Sequence, residues 1–441
     1  MSHALDTDLY ELNMAASYLR HEMTAPATFS LFCRRLPSDR GFLIAAGLED
    51  CLSYLEEFAF ETSDLDYLAE IGFAEETIEA FRSLRFTGEV WAVPEGSVVL
   101  ANEPILEITA PISEAQLVET FLLNQCTFET ALATKAARCR IAAGGRIDLV
   151  DFSLRRTQGI EAGLAVARLS AMCGFVGTSN VEAARRLGLR PAGTMAHSYI
   201  EAFADEREAF VTFARDLPDR AIFLVDTYDP LTGIEHAIGA IKSLGLEKRS
   251  GIRLDSGDLA DLARAARSQL DAAGLPLVEI FVSGGLDERD LAEFVAVGAP
   301  IDAAGVGTKM GVSADAPFLE TAYKLVEYAG RPVMKLSAGK ATLPGPKQVF
   351  RAPGVRDIIA RRDETGPAGS VPLLQCEMSK GRRVRPAQTI AELGQRVEAQ
   401  LAELPPEALV TSSPTEQVAE LSEALRRLAD EVRAASSQSH P

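Results

Sequence analysis

The sequence predicts an α/β protein: an irregular, TIM-like α/β barrel with a second, α+β sheet domain built from N- and C-terminal segments. Two observations carry the barrel. Between about 131 and 330, short apolar runs alternate with amphipathic stretches of helical period, the pattern of βαβ units and a parallel sheet. Almost every one of those runs also ends in a cluster of Asp, Arg, Ser, Thr, His or Gly. In a closed parallel barrel all C-terminal strand ends open onto one face, and that face holds the active site. An open doubly wound sheet instead binds its ligand at one switch point. Polar clusters after nearly every strand favour the closed form.

Taken in order, residues 8–20 (DLYELNMAASYLR) carry apolar residues at helical spacing, with Asp6 or Thr7 as the expected cap. ATFSLFCRRL reads as a strand, followed by helical stretches through Phe60 and Phe81. Residues 88–112 are short β runs broken by Pro and Gly, which predicts a small antiparallel sheet. A long helix is expected over about 114–143. The expected barrel strands are 147–154, 175–180, 191–197, 221–229, 251–258, 278–285 and 301–308, with helices such as 259–274 and 287–298 between them. Residues 331–351 read as strand, loop, strand, returning to the N-terminal sheet. Residues 391–435 read as helical, and the final SSQSHP as disordered. The expected domains are therefore 1–130 completed by about 331–390, the barrel over 131–330, and a helical tail over 391–441.

Composition narrows the function. The chain has 441 residues, 47% hydrophobic and 24% charged, which is ordinary for a globular protein. The net charge of −19 argues against general affinity for nucleic acid or an anionic membrane. It leaves room for a local basic pocket, which an anionic substrate would need. The six cysteines form no CxxC pair and the histidines show no metal-ligand spacing, so buried thiols in a reducing compartment are expected. The N-terminus has no signal-peptide pattern, and no run of about 18 apolar residues appears. A cytoplasmic location is expected.

Five motifs carry chemistry. Ser283–Gly285 and Gly305–Thr308 follow consecutive strands, and glycine loops there let backbone N–H groups approach an anion, as in the phosphate sites of TIM-type barrels. Leu254–Asp258, preceded by Arg253, offers two carboxylates that could hold ribose hydroxyls or a metal. Asp258 reads as the cap of the next helix, as Asp287 does after SGGL, which leaves Asp255 as the functional one. DFSLRRTQG brings Phe152, Arg155 and Arg156 to a strand end; on an extended segment the two arginines face opposite ways, so one could clamp an anion and the other salt-bridge. His197 follows a strand-like run, and Asp226 and Asp229 end the next strand. A carboxylate beside an imidazole fixes its tautomer and raises its nucleophilicity.

Together TDLYELNMA, DFSLRRTQG, GTSN, GTMAHSY, DTYDP, RLDSGDL, SGGL, GVGT and KLSAGKATLPGPKQVFR closely resemble, in order, the motifs of the nicotinate phosphoribosyltransferase family, over about residues 1–351. The resemblance implies a type II phosphoribosyltransferase fold. It also implies a reaction that joins nicotinate to 5-phosphoribosyl 1-diphosphate, giving nicotinate mononucleotide and diphosphate for NAD salvage, with ATP hydrolysis coupled through an autophosphorylated histidine. By motif match that histidine is His197, oriented by Asp226. Tyr10 of a neighbouring subunit would stack on the pyridine ring opposite Phe152, making a homodimer with shared sites. Thr194 and Arg253 would contact nicotinate and Arg155 an anionic group. Asp255 would face the ribose, Gly284, Gly285, Gly307 and Thr308 would cradle the 5-phosphate, and Mg²⁺ would travel with the diphosphate and ATP.

Two departures stand out. Ser153 occupies a position where the family usually has Gly, which permits left-handed backbone or close ligand approach. Ser198-Tyr199 follows His197 where many members have Glu-Trp. A nicotinamide-using relative would require an Asp accepting from the carboxamide, whereas the paired arginines favour a carboxylate. A quinolinate-using relative would lack the His–Asp pair and ATP, and an idle, metabolite-binding barrel would bind without turnover.

Overall fold

The computed structural model describes residues 3–337 and 342–439. The chain divides into two compact units, Lys135–Pro317 and the remainder, which runs through Thr134 and resumes at Phe318.

The unit Lys135–Pro317 holds six parallel strands: β1 (Asp148–Asp151), β2 (Gly177–Thr178), β3 (Ile222–Leu224), β4 (Gly251–Leu254), β5 (Glu279–Val282) and β6 (Ala303–Val306). Their order is β2-β1-β6-β5-β4-β3. The last strand therefore pairs with the first, Ala303 opposite Asp148 through Val306 opposite Asp151, as in a barrel. The ring stays unpaired between β2 and β3. The sequence predicts a strand over 191–197 there, but only Pro191 bridges, to Thr178, and no regular strand forms before the helix His197–Glu201. Pro191 lacks the N–H that a ladder needs, and Gly193 has no side chain to pack.

The core of this unit is made by the strands themselves. Ile252, Leu254, Ile280, Val282, Ala304 and Val306 are completely buried. The helix Leu259–Ala272 lays Leu259, Ala263, Ala266 and Leu270 along one buried face, the helical period of an amphipathic element. Asp258 caps it by accepting from the Asp261 amide at 3.0 Å, as its position predicts. Asp287 and Asp290 form a reciprocal capping box on the helix Glu288–Ala296. Below that helix start lies a buried ionic group. Lys135 Nζ stands 2.5 Å from Glu288 Oε2 and 2.9 Å from Asp315 Oδ1, and Arg138 Nη2 stands 3.0 Å from Glu288 Oε1.

The other unit is built from both ends of the chain. In its seven-stranded sheet Pro26–Cys33 pairs antiparallel with Thr321–Tyr328 on one side and with the central strand Pro104–Pro111 on the other. Glu89–Ala92 and Gln375–Ser379 continue it. A four-stranded sheet contains Lys347–Ala352, Arg356–Arg361, Val371–Pro372 and Glu420–Leu421. Of the strand–loop–strand expected over 331–351, Arg331–Pro332 joins the edge of the larger sheet while Lys347–Ala352 joins the smaller one; residues 338–341 lie outside the described residues.

Several local expectations are corrected. At the first helix, Leu9–Arg20, Asp8 occupies the cap position without a side-chain cap bond. Thr7 donates instead to the Glu11 carboxylate, and Asp6 accepts from His3. The helix expected over 114–143 is two, Ile112–Leu117 and Glu119–Ala142. The helix expected over 391–435 is interrupted: Ile390–Ala402, Pro406–Leu409 and Glu423–Ser439 are helical, and the prolines 405, 406 and 414 break the pattern between them. Residues 436–439, expected as disordered, continue the last helix, while 440–441 lie outside the described residues. No described helix is long and apolar enough to cross a membrane. All six cysteines are free thiols, five of them buried.

Glu288 neutralises two buried cations, so its removal should be costly. Glu288→Ala is expected to destabilise the protein by about 3–5 kcal/mol, the range for orphaning one side of a buried ionic group. Chemical denaturation of purified variant and parent measures it; a loss below about 1 kcal/mol would mean that water reaches Lys135 and Arg138.

Candidate active site

The C-terminal ends of β1 to β6 gather the polar residues of the barrel unit. Arg253 lies within β4, an almost fully buried arginine in a strand. Its Nε donates to Ser283 Oγ at 2.8 Å, its Nη1 to Thr194 Oγ1 at 3.0 Å and to the Met195 carbonyl at 3.3 Å, and its Nη2 to Asp255 Oδ1 at 2.6 Å. A guanidinium has five N–H donors. Among the described residues, one N–H on Nη2 has no acceptor.

The Arg253 guanidinium carbon also sits 5.5 Å from the centre of the Phe152 ring, which stacks on Phe281 at 5.5 Å. Gly305 permits that placement: a Cβ there would stand 2.5 Å from Phe152 Cδ2. Phe152, Thr194 and Arg253, from three separate segments, thus converge on one spot.

Asp255 accepts from both Arg253 and the Ser283 hydroxyl. Burial alone would raise its carboxyl, but the Ser283 hydroxyl and the Arg253 guanidinium outweigh burial and hold it below the usual carboxylate range. Gly284 follows with φ +110°, and a Cβ on it would lie 2.1 Å from the Asp255 carbonyl oxygen, so only glycine fits this turn. Gly285, at φ +72°, is exposed beside it. On the neighbouring strand, Gly307 leads into the short helix Thr308–Gly311. The two glycine loops sit on β5 and β6, which pair directly.

His197 opens a short helix, and its Nδ1 lies 3.1 Å from Thr227 Oγ1. The sequence predicts Asp226 as its orienting partner; the structure places Thr227 there. Asp226 Oδ2 accepts from the Asp255 amide at 2.9 Å and from Ser256 Oγ at 2.6 Å, while its buried Oδ1 has no hydrogen-bond partner among the described residues. Asp226 and Thr227 are adjacent in the loop that follows β3, and it is Thr227 that meets the imidazole.

Arg155 lies on the 3-10 turn Leu154–Arg156, exposed and without a hydrogen bond or ion pair among the described residues. The turn also removes the premise that Arg155 and Arg156 alternate sides of an extended segment. Ser153, just before it, has right-handed backbone (φ −86°, ψ −30°), so nothing in its conformation demands glycine. Tyr10, in the other unit, is 45% exposed on the helix Leu9–Arg20. Partial burial and the carboxylates Glu119 and Glu11 raise its phenol above the usual value. No group of three or more His, Cys, Asp or Glu among the described residues is arranged to hold a metal.

Comparison with known proteins decides the family. Three nicotinate phosphoribosyltransferase family models match in succession, the N-terminal domain over residues 5–126, the family core over 147–342 and the C-terminal domain over 355–429. The chain belongs to the nicotinate phosphoribosyltransferase family. It is 48% identical over 412 residues to the nicotinate phosphoribosyltransferase pncB2 of Mycobacterium tuberculosis, covering 92% of this chain and 88% of the relative. It is 44% identical over 362 residues to the nicotinate phosphoribosyltransferase of Bacillus subtilis, covering 79% of this chain and 73% of that one. The crystal structure of the human nicotinic acid phosphoribosyltransferase superposes with a TM-score of 0.84 at 30% identity, covering 97% of this chain and 99% of the human one.

Within this nicotinate phosphoribosyltransferase-family site, sequence reasoning missed Thr227, Ser256, and the use of Ser283 as the link between Arg253 and Asp255. All three were open to the same rule that found the others, since each directly follows a strand run. It also missed Asp151, buried at the end of β1, which accepts from Thr178 Oγ1 at 2.7 Å and from the Ser153 amide at 2.9 Å and so fixes the turn that presents Phe152.

Proposed function

We propose that this chain transfers a phosphoribosyl group to nicotinate, with ATP hydrolysis coupled through His197. The observation that carries the pyridine site is the Arg253 environment. Its positive charge lies beside the Phe152 ring and the Thr194 hydroxyl, and one N–H of Nη2 has no acceptor among the described residues. A flat aromatic anion needs a ring to stack on and a cation at its carboxylate, and this spot supplies both. In the transfer step the pyridine nitrogen forms the new bond to ribose C1 as the bond from C1 to the diphosphate oxygen breaks. Gly284, Gly285 and Gly307 would hold the 5-phosphate by backbone N–H groups and Thr308 by its amide and hydroxyl, Asp255 would meet the ribose hydroxyls, and Arg155 would meet the departing diphosphate or the ATP phosphates.

His197 would take the γ-phosphate of ATP and then lose it to water. Thr227 occupies Nδ1, so Nε2 is the ring nitrogen left to attack. Asp226 acts on this reading at one remove, by fixing the Asp255–Ser256 turn. Its orphaned Oδ1 is also the oxygen suited to a Mg²⁺ ion that arrives with the phosphates; such an ion keeps several waters, takes one or two carboxylates, and would neutralise the leaving diphosphate.

A homodimer with shared sites, working in the cytoplasm, completes the proposal. The rim of the barrel mouth exposes large apolar side chains, Ile160 at 69%, Val181 at 72% and Tyr228 at 64%, at or near the starts of the helices that follow β1, β2 and β3. Such a patch beside an active site marks an interaction surface. Tyr10 and Leu9, exposed on the first helix, are matching groups for a partner copy to offer.

Purified protein should form nicotinate mononucleotide from nicotinate in an ATP-stimulated reaction, and should use nicotinamide and quinolinate poorly. With γ-labelled ATP it should acquire acid-labile phosphate that His197→Asn abolishes, while slow uncoupled transfer persists. Equal labelling of the variant would move the phosphorylation elsewhere.

Arg253→Ala should weaken nicotinate use by roughly 10–100-fold, the equivalent of a charged hydrogen bond worth about 1.5–3 kcal/mol. Selectivity over nicotinamide should fall with it. Equal losses on both pyridines would assign Arg253 to the fold or to the phosphoribosyl donor.

Tyr10→Ala and His197→Asn subunits, each lacking ATP-stimulated transfer and mixed under conditions that allow exchange, should recover it, since each heterodimer would contain one intact site. Verified heterodimers that stay inactive would place Tyr10 outside the partner's chemistry.

A further inference from the structure

The helix Glu288–Ala296 begins directly after the Gly284–Gly285 loop, and its capping box requires two carboxylates there, Asp287 and Asp290. Caps of this kind satisfy otherwise orphaned amides and stabilise the helix start. The same two charges stand beside the loops that, on the reading above, receive a phosphate dianion. The helix needs them, and an incoming anion is repelled by them.

Lys309 answers both demands. It follows Thr308 in the second glycine loop, and its Nζ reaches across to Asp287 Oδ2 at 3.1 Å and Asp290 Oδ2 at 3.4 Å. Lys309 is 43% exposed, Asp290 39% and Asp287 17%, so the trio lies at the surface of the mouth and not in the core. Burial alone would raise the Asp287 carboxyl, but the Arg289 amide and the Lys309 ammonium overcome burial and hold it low, so it remains charged at neutral pH. Behind it, Glu288 faces inward to Lys135 and Arg138, which are already committed to Glu288 and Asp315. Among the described residues Lys309 is the cation that pairs with both capping carboxylates.

We propose that Lys309 is a positioning and charge-compensating residue for the phosphoribosyl donor: it neutralises the capping carboxylates and ties the two glycine loops together, without being a ligand of the phosphate itself. The inference rests on the reading that these loops hold the 5-phosphate.

The experiment measures initial rates with 5-phosphoribosyl 1-diphosphate varied, at two or more salt concentrations. Lys309→Met keeps the aliphatic stem and removes the charge. It should raise the KM for the donor by about tenfold while leaving kcat and the KM for nicotinate within about twofold. Its donor KM should fall as salt is added, because screening relieves repulsion, whereas that of the parent should rise as salt weakens attraction. That reversal of sign is a signature that simple loosening of the loops would not produce. Lys309→Arg should behave like the parent. Adding Asp290→Asn to Lys309→Met should recover most of the donor KM, since it deletes the uncompensated charge.

A double variant no better than Lys309→Met, with no reversal in salt dependence, would make Lys309 a direct phosphate ligand and overturn the proposal. So would a donor KM unchanged in Lys309→Met while Thr308→Val raises it. If Thr308→Val and Lys309→Met both leave the donor KM alone, it is the phosphate-loop reading that fails. Thermal melts of each variant separate these outcomes from misfolding.

Discussion

A guanidinium set inside a barrel strand has to find acceptors or unfold the barrel, and much of this site follows from how Arg253 finds them. Burying an unpaired cation costs far more than a small domain's stability margin allows. Arg253 therefore draws in Asp255 from its own strand end, Ser283 from the end of β5, and Thr194 with the Met195 carbonyl from the unpaired segment beyond β2. Three loops that could wander are pinned to one planar group. Because the group is planar, the spare N–H is held in that plane as well, and the guanidinium lies beside the Phe152 ring. The arrangement that keeps the fold from paying for a buried charge also aims that charge.

Electrostatics runs through the site on two levels. Deep in the barrel unit, Lys135 and Arg138 are closed off by Glu288 and Asp315, and none of them is free to act on a ligand. At the mouth the partners are only partly satisfied: Arg155 has no partner among the described residues, and Asp226 keeps one bare oxygen. Complete pairing below and incomplete pairing above distinguishes a foundation from a binding surface. It also explains how a chain of net charge −19 can receive multiply charged anions: short-range donors at the mouth supply the attraction that the net charge does not.

Much of this was legible in the sequence. Alternating apolar runs located six of the seven expected barrel strands, and the polar residues after them located the mouth, because strand direction alone puts all those ends on one side. Asp258 and Asp287 were readable as caps from their positions before apolar helical runs, which left Asp255 as the informative carboxylate. What the sequence concealed depended on contacts between segments. Asp226 and Thr227 are neighbours in the chain and equally plausible partners for His197; only the direction of the backbone leaving β3 decides between them. The arginines of DFSLRR look alternating when the segment is taken as extended, and the Asp151 carboxylate that curls it into a turn does so through the Ser153 amide and the Thr178 hydroxyl. The tail differs for a simpler reason: the prolines 405, 406 and 414 interrupt its helical pattern.

The one place where the predicted barrel fails to form is also where two of the site's residues arise. Had 191–197 been a regular strand, its amides and carbonyls would have been used in the ladder, and successive side chains would have pointed alternately into the barrel and out of it. Unpaired beyond Pro191, the segment leaves the Met195 carbonyl available to Arg253, turns the Thr194 hydroxyl to the same guanidinium, and then starts the helix that sets His197 against Thr227. A rung is missing from the sheet, and the polar backbone it would have consumed is spent on the site. The loss is tolerable because β6 pairs with β1 on the far side, so the remaining strands stay in one continuous sheet. On this argument the irregularity of the barrel is a condition for bringing the histidine and the arginine pocket together.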